Sequence, residues 1–273
     1  MKFTPKRLDG NVNVSRTHPL AELSWLLGGL ILITALVFFA LGYSADWAAT
    51  KAPISVENWL GRQALSHFPA DENPALKQQL QALLDSLPAD SPLHQYNFRV
   101  FLSPSDEVNA VALPGGNIVV FSGLLKQIES ENELAMILAH ELGHFAHRDH
   151  LRGLGRGLGL AVAATLLFGQ DNAASSLVSN TLLTFQLRYS QTQESAADSF
   201  GLDLLNQRYG HVGGSTDFFA RMAKKAGGKI PYLLASHPHP EARIEQLEGL
   251  VAKKGYKVEM TYPLAEGLRT VGQ

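Results

Sequence analysis

The chain has 273 residues, 45% of them hydrophobic and 18% charged, with a formal net charge of −2. This is the composition of a globular protein with a sizeable core, and the lack of a basic stripe excludes a nucleic-acid partner. With no cysteine, disulfides, thiolate metal ligands and a cysteine nucleophile are excluded, so any metal must be held by histidine and carboxylate.

Residues 1–22 read as a polar N-terminal segment carrying Lys2, Lys6, Arg7 and Arg16. The next 23 residues, Leu23 to Ala45, contain no charge. As a helix that run is roughly 34 Å long, enough for a hydrocarbon core of about 30 Å. Trp25 and Tyr43 stand near its two ends, where an aromatic belt belongs. A cleaved signal peptide is the competing reading. The long polar lead, an apolar run exceeding an ordinary signal core and the lack of an A-x-A site favour a transmembrane anchor at 23–45. Only Lys51 and Arg62 follow closely, so the positive-inside rule puts the N-terminus in the cytoplasm. The expectation is a single-pass protein of a bacterial inner membrane, held in lipid by the 23–45 helix, with residues 46–273 in the periplasm.

Residues 46–96 read as a linker region with helices over Val56–Phe68 and Pro74–Leu87, punctuated by Pro69, Pro74, Pro88 and Pro92. Strands are expected over Asn97–Ser103, Val108–Leu113 and Asn117–Phe121, the last two joined by the turn Pro114-Gly115-Gly116. Helical periodicity follows over Ser122–Ile128 and Asn132–His147. Gly157–Gln170 is an apolar run of 14 uncharged residues, short for a span. Further helices are expected over Ala173–Arg208, Gly213–Ala226 and Pro240–Lys253.

The chemistry-bearing segment is His140-Glu141-Leu142-Gly143-His144. On a helix two histidines four apart share a face, so both imidazoles can take corners of one tetrahedral zinc site. Glu141 directly follows the first of them and can act as general base on a water at the metal. Gly143 permits close approach of another segment. The apolar lead-in Leu134 to Ala139 buries the helix, which holds such ligands rigid.

A third ligand is required, and two candidates compete. Glu194 lies on a later helix with Asp198 four residues on, facing the same way and able to hydrogen-bond the outer nitrogen of a zinc histidine. His150 is six residues after His144, the metzincin spacing, but His147 stands where that class turns on glycine. His147, Asp149 and His150 otherwise read as a polar helix end.

Four segments together resemble the HtpX-like, CAAX-prenyl-protease-type zinc metallopeptidases: Asn109–Gly116, His140–His144, Glu194–Asp198, and Ser236-His237-Pro238 with Arg243. The resemblance covers residues ~97–250. It implies one zinc per chain, held by His140, His144 and Glu194, with Asp198 as a supporting carboxylate. It also implies that His237 steadies the oxyanion; Arg243 pairs with a site carboxylate or with the surface. Multi-span relatives carry two membrane helices between the metal helix and the third ligand, where this chain has a single short apolar run.

The expected fold is α+β: a mainly helical zincin-type metallopeptidase domain at 97–273 with a small β-hairpin sheet at the cleft, preceded by one transmembrane helix. Asn109–Leu113 is expected to be an edge strand that receives an extended protein or peptide substrate by strand addition. The expected activity is zinc-dependent cleavage of internal peptide bonds in misfolded or membrane-proximal envelope proteins, with Glu141, His237 and Asp198 as the catalytic set. The alternatives are a catalytically silent chaperone-like or assembly factor using the same cleft, and an amidase acting on peptidoglycan.

Overall fold

The computed structural model describes residues 18–153, 155, 189–225, 237 and 240–269. Helix α1 runs over Pro19–Lys51, with proline in its first turn, where the missing N–H costs nothing. Its stretch Pro19–Ser44, whose most apolar 18-residue window has a mean hydropathy of 2.4, is long and apolar enough to cross a membrane. Leu26, Ile31 and Phe39 on it are all exposed. A helix apolar all round suits lipid rather than a half-buried site in water.

Ala52 and Pro53 break the chain before α2 (Ile54–Leu65). The short strand β1 (Asp71–Glu72) precedes α3 (Pro74–Leu84), which is capped by Asn73 accepting from the N–H groups of Ala75 and Leu76 at 3.0 Å. Leu76, Leu80 and Leu83 form its buried stripe. Both α2 and α3 stop three residues before the sequence-based limits. Their tails wind on as tighter turns, with Phe68 N–H on Leu65 O and Leu87 N–H on Leu84 O, before Pro69 and Pro88 end them.

Strands β2 (Arg99–Ser103), β3 (Ala110–Leu113) and β4 (Asn117–Phe121) complete a four-stranded sheet of order β1-β2-β4-β3. β2 and β4 are parallel, while β3 and β4 form an antiparallel hairpin. Gly115 and Gly116 turn that hairpin with φ of 76° and 81°, a region residues with a β-carbon seldom adopt. β4 is buried along its whole length because both faces are covered. Ile118 and Val120 join the main core, while Val119 and Phe121 pack with Phe101, Leu113 and Ala64 of α2.

A short helix α4 (Ser122–Leu125) leads to α5 (Glu131–Ala146). Ser130 caps α5 by accepting from Glu133 N–H at 3.2 Å. Every residue from Asn132 to Phe145 is buried, so α5 is the axis of the core. Helix α6 (Gln191–Tyr209) crosses it. The sequence reading began that helix at Ala173. It starts instead at Gln191, behind a capping box of Ser190 and Gln193, and the earlier residues of that expectation lie outside the described ones. Helix α7 (Asp217–Lys225) begins four residues after the expected Gly213, because Gly214 at φ 87° belongs to a turn. Helices α8 (Pro240–Lys254) and α9 (Glu266–Arg269) follow. The apolar run Gly157–Gln170 lies outside the described residues.

Candidate metal centre

Helix α5 carries His140, Glu141 and His144, α6 carries Glu194 and Asp198, and all five are buried. The crossing is close because both helices are small at the contact. Gly143 lies against Ala197, and Gly201 against the backbone at Ala139 and His140.

Each of the two α5 histidines has its own carboxylate. His140 Nδ1 lies 2.8 Å from Asp198 Oδ1. Asp198 is clamped in turn by Arg243, whose Nε donates to Oδ2 at 2.9 Å and Nη2 to Oδ1 at 2.6 Å. Arg243 therefore pairs with the site and not the surface; its Nη1 also stands 3.2 Å from Glu194 Oε2. His144 Nδ1 lies 3.0 Å from Asp149 Oδ2, and Gln193 Nε2 donates to the other oxygen of Asp149 at 2.8 Å. Asp149 reads in the sequence as part of a polar helix end. Here it mirrors Asp198, because Arg148, at φ 55°, turns the chain back toward the ring of His144.

A carboxylate on Nδ1 takes that nitrogen's proton as a hydrogen bond, so each Nε2 presents its lone pair inward. The two Nε2 atoms lie 3.1 Å apart, and each is 3.5 Å from an oxygen of Glu194. Two ligands at about 2.0–2.1 Å from a tetrahedral ion stand roughly 3.4 Å apart. Two imidazole nitrogens and a carboxylate at these separations match that spacing, so the residues fit a divalent metal ion.

The electrostatics agree. Burial alone would lower His144, yet the hydrogen bond to Asp149 and the charge of Glu194 raise it to about 9. Positive charge is therefore favoured at this ring. Burial would raise Glu194, but His237 and His140 hold its carboxyl well below the usual range. Burial likewise opposes ionisation of Asp198, and Arg243 and His140 overcome it.

His237 joins the cluster. Its Nδ1 is 2.9 Å from Glu194 Oε1 and 3.2 Å from His140 Nε2, and donor atoms of His140, His144, Glu194 and His237 all lie within 4.8 Å of one another. Its Nε2 is 3.7 Å from Glu141 Oε1. Among the described residues, the buried Glu141 Oε2 has no hydrogen-bond partner. A cavity of about 10 Å³, room for roughly one water, is bounded by Ile137, His140, Glu141, Phe219, His237 and Arg243. Tyr189, which the sequence reading did not single out, stacks on the ring of His144 at 3.7 Å. His150 is turned away from the cluster, with its Nε2 3.2 Å from Glu57. Burial, with the charges of His144 and Arg148, lowers it to about 3, so it is neutral.

Strand β3 forms one edge of the sheet beside α5. Phe121 N–H donates to Asn109 O at 3.1 Å, so the antiparallel alternation turns residues 111 and 113 toward β4 and Ala110 and Ala112, both buried, away from it. The N–H of Ala110 is taken by the side chain of Asn109 at 2.9 Å. Ala112 therefore aims its N–H and C=O away from β4.

The sequence pattern of peptidase family M48 matches residues 70–251. The chain belongs to peptidase family M48. Among M48 relatives, the Yersinia pestis protein named beta-barrel assembly-enhancing protease is 28% identical over 196 residues, covering 67% of this chain and 40% of that protein. Metalloprotease YcaL of Escherichia coli (strain K12) is 29% identical over 161 residues, 57% of this chain and 62% of that one. The mitochondrial metalloendopeptidase OMA1 of Arabidopsis thaliana is 30% identical over 159 residues, 58% of this chain and 33% of that one. The chain thus spans well under half the length of the assembly-enhancing relatives.

Proposed function

We propose that this chain is a zinc-dependent endopeptidase anchored in a bacterial inner membrane, which cleaves misfolded or membrane-proximal proteins on the periplasmic side. The observation carrying the reading is the convergence of His140 Nε2, His144 Nε2 and the Glu194 carboxylate beside the buried Glu141. Membership of M48 and the protease names of the relatives support it. The charge-free helix at 23–45, flanked by more basic residues before it than after, supports the topology.

In this reading His140, His144 and Glu194 hold one zinc. Bound zinc supplies Lewis-acid polarisation of the scissile carbonyl and a lowered pKa for the attacking water. Glu141 Oε2 would accept a proton from the attacking water and pass it to the leaving amine nitrogen. Asp198 and Asp149 fix the rings of His140 and His144, and Arg243 fixes Asp198. The main chain of an extended substrate lies along Asn109–Leu113, with Ala112 N–H and C=O as its partners. His237 donates to the developing oxyanion.

Purified Glu141→Gln tests the reading. It should keep its zinc and lose casein cleavage by about 10²–10⁴-fold, the usual range for removing a general base. Retention of wild-type activity by that variant contradicts it. A second reading, a catalytically silent holdase, is favoured by one observation: His237 already stands among the ligand atoms over a cavity of water size. Zinc-replete protein that binds unfolded casein and never cleaves it would support that alternative.

A further inference from the structure

Glu57 on α2 is fully buried, yet it is far in sequence from the metal centre. A buried carboxylate is expensive unless its partners are in place. Glu57 has three, from separate parts of the chain. The Arg148 guanidinium forms an ion pair with Oε1, His150 Nε2 lies 3.2 Å from Oε2, and Tyr96 O–H donates to the carboxylate at 3.1 Å. Arg148 also donates through Nη2 to Ala52 O, the C-cap of α1, at 2.7 Å.

Arg148 and His150 flank Asp149, the carboxylate on His144 Nδ1. Asp149 can reach back to His144, five residues earlier, only because Arg148 holds a positive φ of 55°, a conformation rare for a residue with a long side chain. Something must over-determine that turn for it to persist. Glu57 grips it on both sides of Asp149. Its hydrogen bonds do not touch the ligand cluster, so its action on the site runs through the turn.

We propose that Glu57 is a positioning residue for the metal centre: its buried carboxylate holds Arg148 and His150 so that Asp149 orients the ring of His144. Glu57 sits four residues past Pro53, which follows the α1 cap, so the same contact ties the end of the anchor helix to the ligand geometry. The inference rests on reading His140, His144 and Glu194 as the zinc site.

The test uses the full chain in detergent micelles, stripped of metal, with zinc affinity measured by competition against a chromophoric chelator and thermal unfolding of each apoprotein followed in parallel. Asp149→Asn should weaken zinc binding about 10–100-fold, the usual effect of losing a carboxylate behind a ligating histidine. Glu57→Gln, near-isosteric but unable to neutralise Arg148, should weaken it about tenfold. Combined, the two should lose little more than Asp149→Asn alone, because one acts through the other. If Glu57→Gln does not fold, Arg148→Gly takes its place: glycine accepts the positive φ but drops the guanidinium, and the same non-additive loss is expected. Zinc affinity within about twofold of wild type in these variants, even with lowered melting temperature, overturns the proposal, as do losses that simply add. A wild-type chain that binds no zinc refutes the metal site itself, a result distinct from either.

Discussion

Gly143 on α5 and Ala197 on α6 touch so closely that a β-carbon at residue 143 would stand 2.8 Å from Ala197 Cα. That contact is backbone on backbone, so it cannot yield by a rotamer change. It sets the distance between the helix holding His140 and His144 and the one holding Glu194, three residues before Ala197. Gly143→Ala should therefore push the helices apart, cost about 1–3 kcal/mol of stability and weaken metal binding as the third corner withdraws. Thermal unfolding together with metal content checks this; an alanine variant with wild-type metal content and stability contradicts it.

Asp198 and Arg243 form a buried pair behind His140. Asp198→Asn keeps shape but no longer balances Arg243 or holds the Nδ1 proton of His140 as strongly. Zinc affinity should fall about 10–100-fold with the fold retained. Arg243→Ala should be worse for folding, since it leaves Asp198 and Glu194 as buried charges without their cation. Chelator competition and circular dichroism separate the two effects.

At the sheet edge, Ala112 is the residue whose N–H points away from β4, whereas Val111 is committed to the ladder. Ala112→Pro should remove one main-chain bond to substrate, worth about 1 kcal/mol, and raise KM roughly fivefold with little change in kcat. Val111→Pro should instead unfold the hairpin. Equal kinetic effects from both, or none from Ala112→Pro, would argue against substrate lying on this strand.

Metal removal should also destabilise the fold, because the ligands come from helices far apart in sequence. Zinc present at a thousand times its dissociation constant adds about 4 kcal/mol to stability. A strong chelator should lower the melting temperature by several degrees, and added zinc should restore it. An unchanged melting temperature would mean that the cluster binds no metal.

Much of this site was legible in the sequence. The spacing of His140 and His144 after an apolar lead-in identifies a buried helix with two imidazoles on one face, and Glu194 and Asp198, four apart on a second helix, are the carboxylates that the structure brings beside them. What was not legible depends on backbone conformation or on long-range pairing. Asp149 reaches His144 only through the positive φ of Arg148, which no composition rule signals at an arginine. Glu57 looks like an ordinary polar position on an amphipathic helix, and only the tertiary fold brings Tyr96, Arg148 and His150 around it. The sheet also gained a strand that two residues cannot announce: Asp71 and Glu72 pair with β2. Helix ends shifted by three residues where prolines allowed one more tight turn.

The most direct test is metal analysis of the purified full chain, wild type beside Glu194→Ala and His150→Ala, with casein cleavage run in parallel. About one zinc per chain in wild type and in His150→Ala, with both zinc and cleavage lost in Glu194→Ala, is the predicted result. Zinc retained by Glu194→Ala but lost from His150→Ala would contradict the metal centre described.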